Sequence, residues 1–465
     1  MSHLRRRRIS GTSPALLPTG LASFVQVDVE GHLFDDNGLW REAPVFKGTT
    51  KFDPLPDMKN ILVTGGAGFI ASWVVRHLTL TYPDDYNIVC YDKLDYCASM
   101  SNIRSLGTSN NFRFVHGDIT NPSTVRACLV EHKIDTILHF AAQSHVDLSF
   151  GNSYEFTNTN VFGTHVLLES AREVGLKRFV HISTDEVYGE VSDDEEGLIE
   201  NTILAPTNPY AASKAAAEML VNGYWKSFKL PVMIIRSNNV YGPHQYPEKV
   251  IPKFTCLLNR QQKLLLHGDG KHARKYLYAG DACDAFDTIL HKGTMGQVYN
   301  IPSNDEISNL NLCSQLLDYF GYPNSTSSEF YMCVQHTQDR PFNDRRYAVD
   351  GSKLKQLGWS QKTSWEEGFK TTVGWYIKYG ETWWGDIEGV FTAFPTITEG
   401  DVSTVENVYE RPERLGSIDI GRLNGVIPEE PRAEDASDTP VHEAIEDITP
   451  MPLPEAAHNT QGFAL

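Results

Sequence analysis

Short apolar runs alternate with longer mixed stretches between Lys59 and Arg236. The runs are Asn60–Thr64, Ile88–Asp92, Phe112–Asp118, Thr136–Ala142, Arg178–Ser183 and Pro231–Arg236. Their length and β-branched content predict buried strands. The stretches 69–80, 122–133, 155–175 and 209–228 predict the helices between most of them. Strands that alternate with helices and are apolar on both faces predict an α/β protein with a doubly wound parallel sheet. After Tyr241 the rhythm loosens, broken by Pro243, Pro247, Pro252 and the Gly268-Asp-Gly270 turn. Helices over 248–260, 281–292, 308–320 and 364–379 then predict a smaller C-terminal α+β domain. The expected organisation is an N-terminal extension (1–57, partly disordered), the doubly wound domain (58–240), the smaller domain (241–390) and an acidic, disordered tail (391–465).

Composition narrows the partners. The 465 residues are 41% hydrophobic and 22% charged, as in a globular protein. The net charge of −18 argues against nucleic acid, which selects a basic face. From Phe391 to the end, 15 acidic residues stand against 4 basic ones, so most of the excess belongs to the tail. The seven cysteines are scattered and lack CxxC spacing, which predicts reduced thiols and a cytoplasmic protein. No apolar stretch is long enough to span a membrane, and no membrane partner is expected. The basic run Arg5–Arg8 has no apolar core after it and reads as a disordered tip rather than a signal peptide. No His, Cys and acid cluster has metal-ligand spacing, so no metal is expected.

Two motif sets carry chemistry. Thr64-Gly65-Gly66-Ala67-Gly68-Phe69-Ile70-Ala71 lies between a strand and a helix. Glycine lets the backbone approach a pyrophosphate, and the helix N-terminus offers free N–H groups to it. Asp92 ends the second strand, 24 residues after Gly68, where a carboxylate can accept ribose hydroxyls and repel a 2′-phosphate. That favours NAD over NADP, with Lys93 beside it pulling the other way. Asp118-Ile119 and Phe140-Ala141-Ala142 close the third and fourth strands, at an adenine position and a close-approach position.

The second set follows the fifth strand: Ser183-Thr184-Asp185-Glu186-Val187-Tyr188-Gly189, then Tyr210-Ala-Ala-Ser-Lys214. Tyr210 and Lys214 are one helical turn apart, and of the 20 tyrosines only Tyr210 has a lysine four residues on. An ammonium near a phenol lowers its pKa, so that it can take a hydroxyl proton as hydride leaves. A dehydrogenase needs no more than that. The paired carboxylates Asp185 and Glu186 can divide into one acid and one base, which suits elimination of water between two hydride transfers. His145 is expected at the same edge.

Together these motifs resemble the extended short-chain dehydrogenase/reductase family, and within it the nucleotide-sugar 4,6-dehydratases. The resemblance spans about residues 58–390 and includes Ala141-Ala-Gln-Ser-His-Val-Asp147, Pro247-Glu-Lys-Val-Ile-Pro252 and Asp339-Arg-Pro-Phe-Asn-Asp344. Asp92-Lys-Leu-Asp-Tyr-Cys97, Phe150-Gly-Asn-Ser-Tyr-Glu-Phe156, Leu204-Ala-Pro-Thr-Asn-Pro-Tyr210 and Trp383-Trp-Gly-Asp-Ile-Glu-Gly389 are most similar to UDP-glucose 4,6-dehydratases, as in the N-terminal half of plant rhamnose synthases. The dTDP-glucose enzymes resemble it next.

The resemblance implies a Rossmann sheet, NAD as cofactor, UDP-glucose or dTDP-glucose as substrate, and a homodimer. It implies that Tyr210 with Lys214 removes the 4-hydroxyl proton, Glu186 takes the C5 proton, Asp185 protonates the 6-hydroxyl, and Thr184 bonds near the 4-hydroxyl. It places Gly65, Gly68, Phe69, Ile70, Asp92, Lys93, Asp118, Ile119, Phe140, Ala141, Ala142, Ser144, Thr159, Ser183, Tyr210 and Lys214 around NAD. Ser144, His145, Asn239, Lys249, Arg274, Asn300 and Arg340 fall around the nucleotide sugar. Ala71 stands in place of a third glycine, and Asn343 in place of a histidine found in bacterial relatives. A 4-epimerase on the same scaffold and a non-catalytic NAD-sensing module are the alternatives.

Overall fold

Ile61, Leu62 and Val63 are almost fully buried, and they alternate between two cores on opposite sides of one sheet. That two-sided burial explains why the strand is apolar throughout. The structure, a computed structural model, describes residues 52–192, 197–322, 330–337, 339 and 342–391. The extension before Phe52, the tail beyond Phe391 and Arg340 lie outside the described residues.

The first strand, β1 (Asn60–Thr64), leads through the glycine turn into α1 (Phe69–Thr81). β2 (Asn87–Asp92), β3 (Phe112–His116), α2 (Pro122–Glu131) and β4 (Thr136–His139) follow. Next come α3 (Val146–Gly151), α4 (Ser153–Phe156) and α5 (Gly163–Val174), then β5 (Arg178–Thr184), α6 (Pro209–Phe228) and β6 (Val232–Ser237). The helix expected over 155–175 thus differs in detail. A π turn, Thr157–Phe162, joins α4 to α5, a device that re-aims side chains and is often found at functional sites.

The chain then forms β7 (Asn239–Tyr241), α7 (Val250–Asn259), β8 (Leu264–His267), β9 (Ala273–Tyr278), α8 (Ala279–Lys292), β10 (Val298–Ile301) and β11 (Glu306–Ser308). It ends with α9 (Asn309–Tyr319), α10 (Phe330–Cys333), β12 (Val334–Thr337), α11 (Ser352–Gln356) and α12 (Trp365–Tyr379).

The main sheet has seven strands in the order β10-β6-β5-β4-β1-β2-β3. Every pairing in it is parallel. Its seventh strand, β10, comes from the stretch 241–390 that the sequence assigns to the smaller domain. The order reverses between β1 and β4, where open parallel sheets leave a crevice at their carboxyl ends. Two small sheets, β11-β9-β7 and β12-β8, build the other wall of that crevice. Among the described residues no helix is long and apolar enough to cross a membrane.

Candidate active site

The glycine turn is shaped by sterics at its first position. Gly65 has φ +69°, and a Cβ there would lie 2.8 Å from Ala141 Cα on the neighbouring strand end. The turn delivers α1, whose N-cap is Gly68 with no capping side chain and no acid in the first turn. The N–H groups that open α1 therefore remain available for an anion.

Gly65, Gly68, Phe69, Ile70, Asp92, Lys93, Asp118, Ile119, Phe140, Ala141, Ala142, Ser144, Thr159, Ser183, Tyr210 and Lys214 all line one cleft. Every residue expected around NAD is brought together there. Asp92 accepts the N–H of Ala67 at 2.9 Å and of Leu94 at 2.7 Å, so the carboxylate braces the turn itself. Ser183 Oγ is buried in this wall without a protein partner, as a group reserved for a ligand would be. Free helix N–H groups, a strand-end carboxylate and an orphaned hydroxyl fit a dinucleotide.

A second cleft adjoins the first and shares Ser144, Glu186, Asn239, Gln245, Glu248 and Lys249 with it. His145 and Arg274 line this second space. His145 is buried between Asp147 (3.5 Å) and Glu248 (3.7 Å). Lys249 Nζ donates to Ser144 O at 3.0 Å. Arg274 lies over the Tyr347 ring, 4.9 Å from its centroid, and donates to Asn343 Oδ1 at 3.1 Å. Asn343 thus braces an arginine of the cleft.

Asn300 is not brought to either cleft. It is fully buried, accepts from the Tyr188 hydroxyl at 2.9 Å and donates to Leu198 O at 2.9 Å. On β10 its amide is engaged at the sheet edge. Arg340 lies outside the described residues.

Of the candidate catalytic residues, Thr184, Glu186, Tyr210 and Lys214 line the first cleft, Glu186 also lines the second, and Asp185 lines neither. Thr184 ends β5, and Asp185 and Glu186 open a short 3-10 turn, Asp185–Tyr188. Gly189 closes it at φ +82°, where any Cβ would strike Ala205 O at 2.4 Å. Asp185 is buried, and burial with the neighbouring Glu186 charge pushes its carboxyl up to about 7. Glu186 faces both clefts and accepts from Asn208 at 3.2 Å.

Asn208 caps α6, which carries Tyr210 and Lys214. The Lys214 ammonium donates to Ile182 O at 2.6 Å and is lowered to about 8 by desolvation. The Tyr210 phenol is raised, first by burial and then by the Glu186 charge, against a lowering hydrogen bond from Thr184. This differs from the sequence expectation that Lys214 would lower the phenol. The ammonium is turned to a main-chain carbonyl, and burial, followed by a nearby carboxylate, dominates instead.

A profile of the family described as GDP-mannose 4,6 dehydratase matches residues 62–372. The chain belongs to that family.

A trifunctional UDP-glucose 4,6-dehydratase, 3,5-epimerase and 4-keto-rhamnose reductase of Arabidopsis thaliana is 50% identical over 340 residues, covering 72% of this chain and 50% of the relative. The chain spans about half the length of such plant relatives. The dTDP-D-glucose 4,6-dehydratase of Mus musculus is 51% identical over 325 residues, covering 70% of this chain and 90% of the mouse protein. The crystal structure of a Streptomyces venezuelae dTDP-glucose 4,6-dehydratase with NAD bound matches at TM-score 0.65 and 38% identity, over 69% of this chain and 97% of that one.

Within this dehydratase-family site, sequence reasoning missed Asn238, Glu248, Asp344 and Tyr347. Asn238 donates to Asp185 Oδ2 at 2.6 Å. Asp344 accepts from Thr207 Oγ1 at 2.8 Å and from the Tyr347 phenol. Burial and then the Glu186 charge raise the Tyr347 phenol, and both residues line the second cleft. Asn238 stands next to the flagged Asn239, and Glu248 and Asp344 fall inside quoted motifs. Motif membership was the available signal, but not which member turns inward.

Proposed function

We propose that the chain is a nucleotide-sugar 4,6-dehydratase that uses NAD to convert UDP-glucose to UDP-4-keto-6-deoxyglucose. The observation that carries this reading is an adjacent carboxyl pair: a buried Asp185, pushed up to about 7 by burial and the Glu186 charge, beside a Glu186 that faces both clefts. NAD, when bound, accepts hydride from C4 and returns it to C6. Tyr210 takes the 4-hydroxyl proton, Thr184 orients that hydroxyl, and Lys214 holds positive charge beneath the strand end. Glu186 takes the C5 proton, made acidic by the 4-keto group, Asp185 gives its proton to the departing 6-hydroxyl so that one water leaves, and Glu186 returns the proton to C5 as C6 is reduced. Arg274 and Lys249 suit the diphosphate, since a guanidinium fork matches phosphate oxygens. A 4-epimerase would have no task for a buried acid and base in addition to Tyr210.

The plant relatives support UDP-glucose; a dTDP-glucose 4,6-dehydratase is the second reading, supported by the mouse relative. Incubation with UDP-glucose and dTDP-glucose side by side, read by mass spectrometry, tests both. Loss of one water from the UDP sugar is expected. A change confined to dTDP-glucose overturns the nucleotide assignment, and no loss of water from either overturns the activity.

The same reading includes a homodimer. Tyr154, Phe162, Met219 and Phe228, on α4, the π turn and α6, are 88%, 47%, 55% and 53% exposed and would be covered by a second copy. Light scattering at twice 52.2 kDa is expected. The seven described free thiols, six of them buried, suit a cytoplasmic enzyme.

A further inference from the structure

Each of the twin carboxylates is held by one asparagine, and the two asparagines are anchored alike. Asn208 Oδ1 accepts the Ala211 N–H at 2.8 Å, and its Nδ2 donates to Glu186 Oε2 at 3.2 Å. Asn238 Oδ1 accepts the Ser303 N–H at 2.8 Å, and its Nδ2 donates to Asp185 Oδ2 at 2.6 Å. Both side chains are buried. Turning either amide over would set an NH2 group against a main-chain N–H, two donors with no acceptor between them, in a place water does not relieve. The main chain therefore fixes each amide, and the amide then fixes the carboxyl.

An NH2 group only donates. Asp185 Oδ2 and Glu186 Oε2 are thereby accepting oxygens. Asp185 Oδ1 accepts from the Thr184 hydroxyl at 3.2 Å. We propose that Asn208 and Asn238 are a matched pair of positioning residues, each of which orients one reactive carboxyl and tunes it separately from the other. The inference rests on the dehydratase reading above.

Other groups face the pair as well. Asp185 faces Glu186, Arg274, Thr184 and Tyr210. Glu186 faces Tyr210 and Tyr347. All of these stay in place when one asparagine is changed, so a shift confined to one group reports that asparagine. An N–H donated to a carboxylate favours its ionised form, and its loss raises the carboxyl. Glu186 must be ionised and Asp185 protonated, so they set the acid and alkaline limbs of the kcat profile respectively.

The test uses the full chain with NAD and its nucleotide sugar. Asn208→Asp keeps a good helix cap, and Asn238→Asp keeps an acceptor for the Ser303 N–H; each loses the donor. N238D is expected to move the alkaline limb up by about one pH unit or more and the acid limb less. N208D is expected to move the acid limb up by a similar amount and the alkaline limb less, with KM little changed in both. Should an aspartate variant fail to fold, N208S or N238S is read on the same limbs. Limbs that stay at wild-type positions, or the same limb moved most by both variants, overturn the pairing. A wild type that yields no dehydrated product sinks the function itself; a productive wild type whose variants keep its limbs sinks only the pairing.

Discussion

Lys93 Nζ lies 3.0 Å from Asp95 Oδ2, with Glu155 and Asp118 at 3.7 and 3.9 Å. The lysine that tempered the reading of Asp92 is thus surrounded by carboxylates, and its charge does not invite a 2′-phosphate. NAD is expected to bind well and NADP poorly. Asp92→Ser is expected to weaken NAD by about 1.5–3 kcal/mol, roughly 10- to 150-fold in Kd, the range for hydrogen bonds to an ionised group. Titration by nucleotide fluorescence measures it, and unchanged affinity would remove Asp92 from the ribose.

Asp185→Asn and Glu186→Gln keep shape and remove proton transfer. Each is expected to lower kcat by about 10²–10⁴-fold, the usual span for general acid–base catalysis, with KM for the nucleotide sugar near wild type. Retention of wild-type turnover in either variant would falsify the role of that residue.

Asp185 also sets a pH dependence of stability. Its folded pKa, about 7, lies above its ordinary 3.8, so the folded chain binds the proton more tightly than the unfolded one. The stability it contributes is full below about pH 4 and is lost as pH rises through about 7. Asp185→Asn removes that loss. Its Tm is expected to gain on wild type between those two values and to level off above, when followed by scanning calorimetry. A constant offset across pH contradicts the buried placement.

Arg274 and Asn300 separate binding from structure. Arg274→Ala is expected to raise KM for the nucleotide sugar by roughly 10- to 150-fold, as loss of a charge-assisted contact would. Asn300→Ala removes two hydrogen bonds but leaves the Tyr188 hydroxyl accepting from Arg236 and the Leu198 carbonyl accepting from the Asp350 N–H, so it is expected to cost about 0.5–1.5 kcal/mol for each bond lost, with KM unchanged. A raised KM without lost stability would return Asn300 to the nucleotide.

The six strands and the helices between them were legible because burial on both faces leaves apolar runs, and 209–228 was placed to the residue. The strands β7 to β12 were not, since all but the six-residue β9 have only three or four residues, too few positions for a pattern to stand out. β10 was hidden for a further reason: its pairing with β6 is made over more than sixty residues of intervening chain, and no local period records that. In the site, the glycine turn and Tyr210-to-Lys214 spacing were legible as fixed local offsets. The hold of Asn238 on Asp185 and the retreat of Asn300 were not, because both depend on which way a side chain turns after the sheet closes.

The late arrival of β10 has a consequence for biosynthesis. Until Val298–Ile301 emerges, Val232–Ser237 remains a naked parallel edge able to recruit another chain. A fragment ending soon after β6 should therefore clump rather than persist as a half enzyme, and any shuffling event in evolution had to carry both stretches as one cassette.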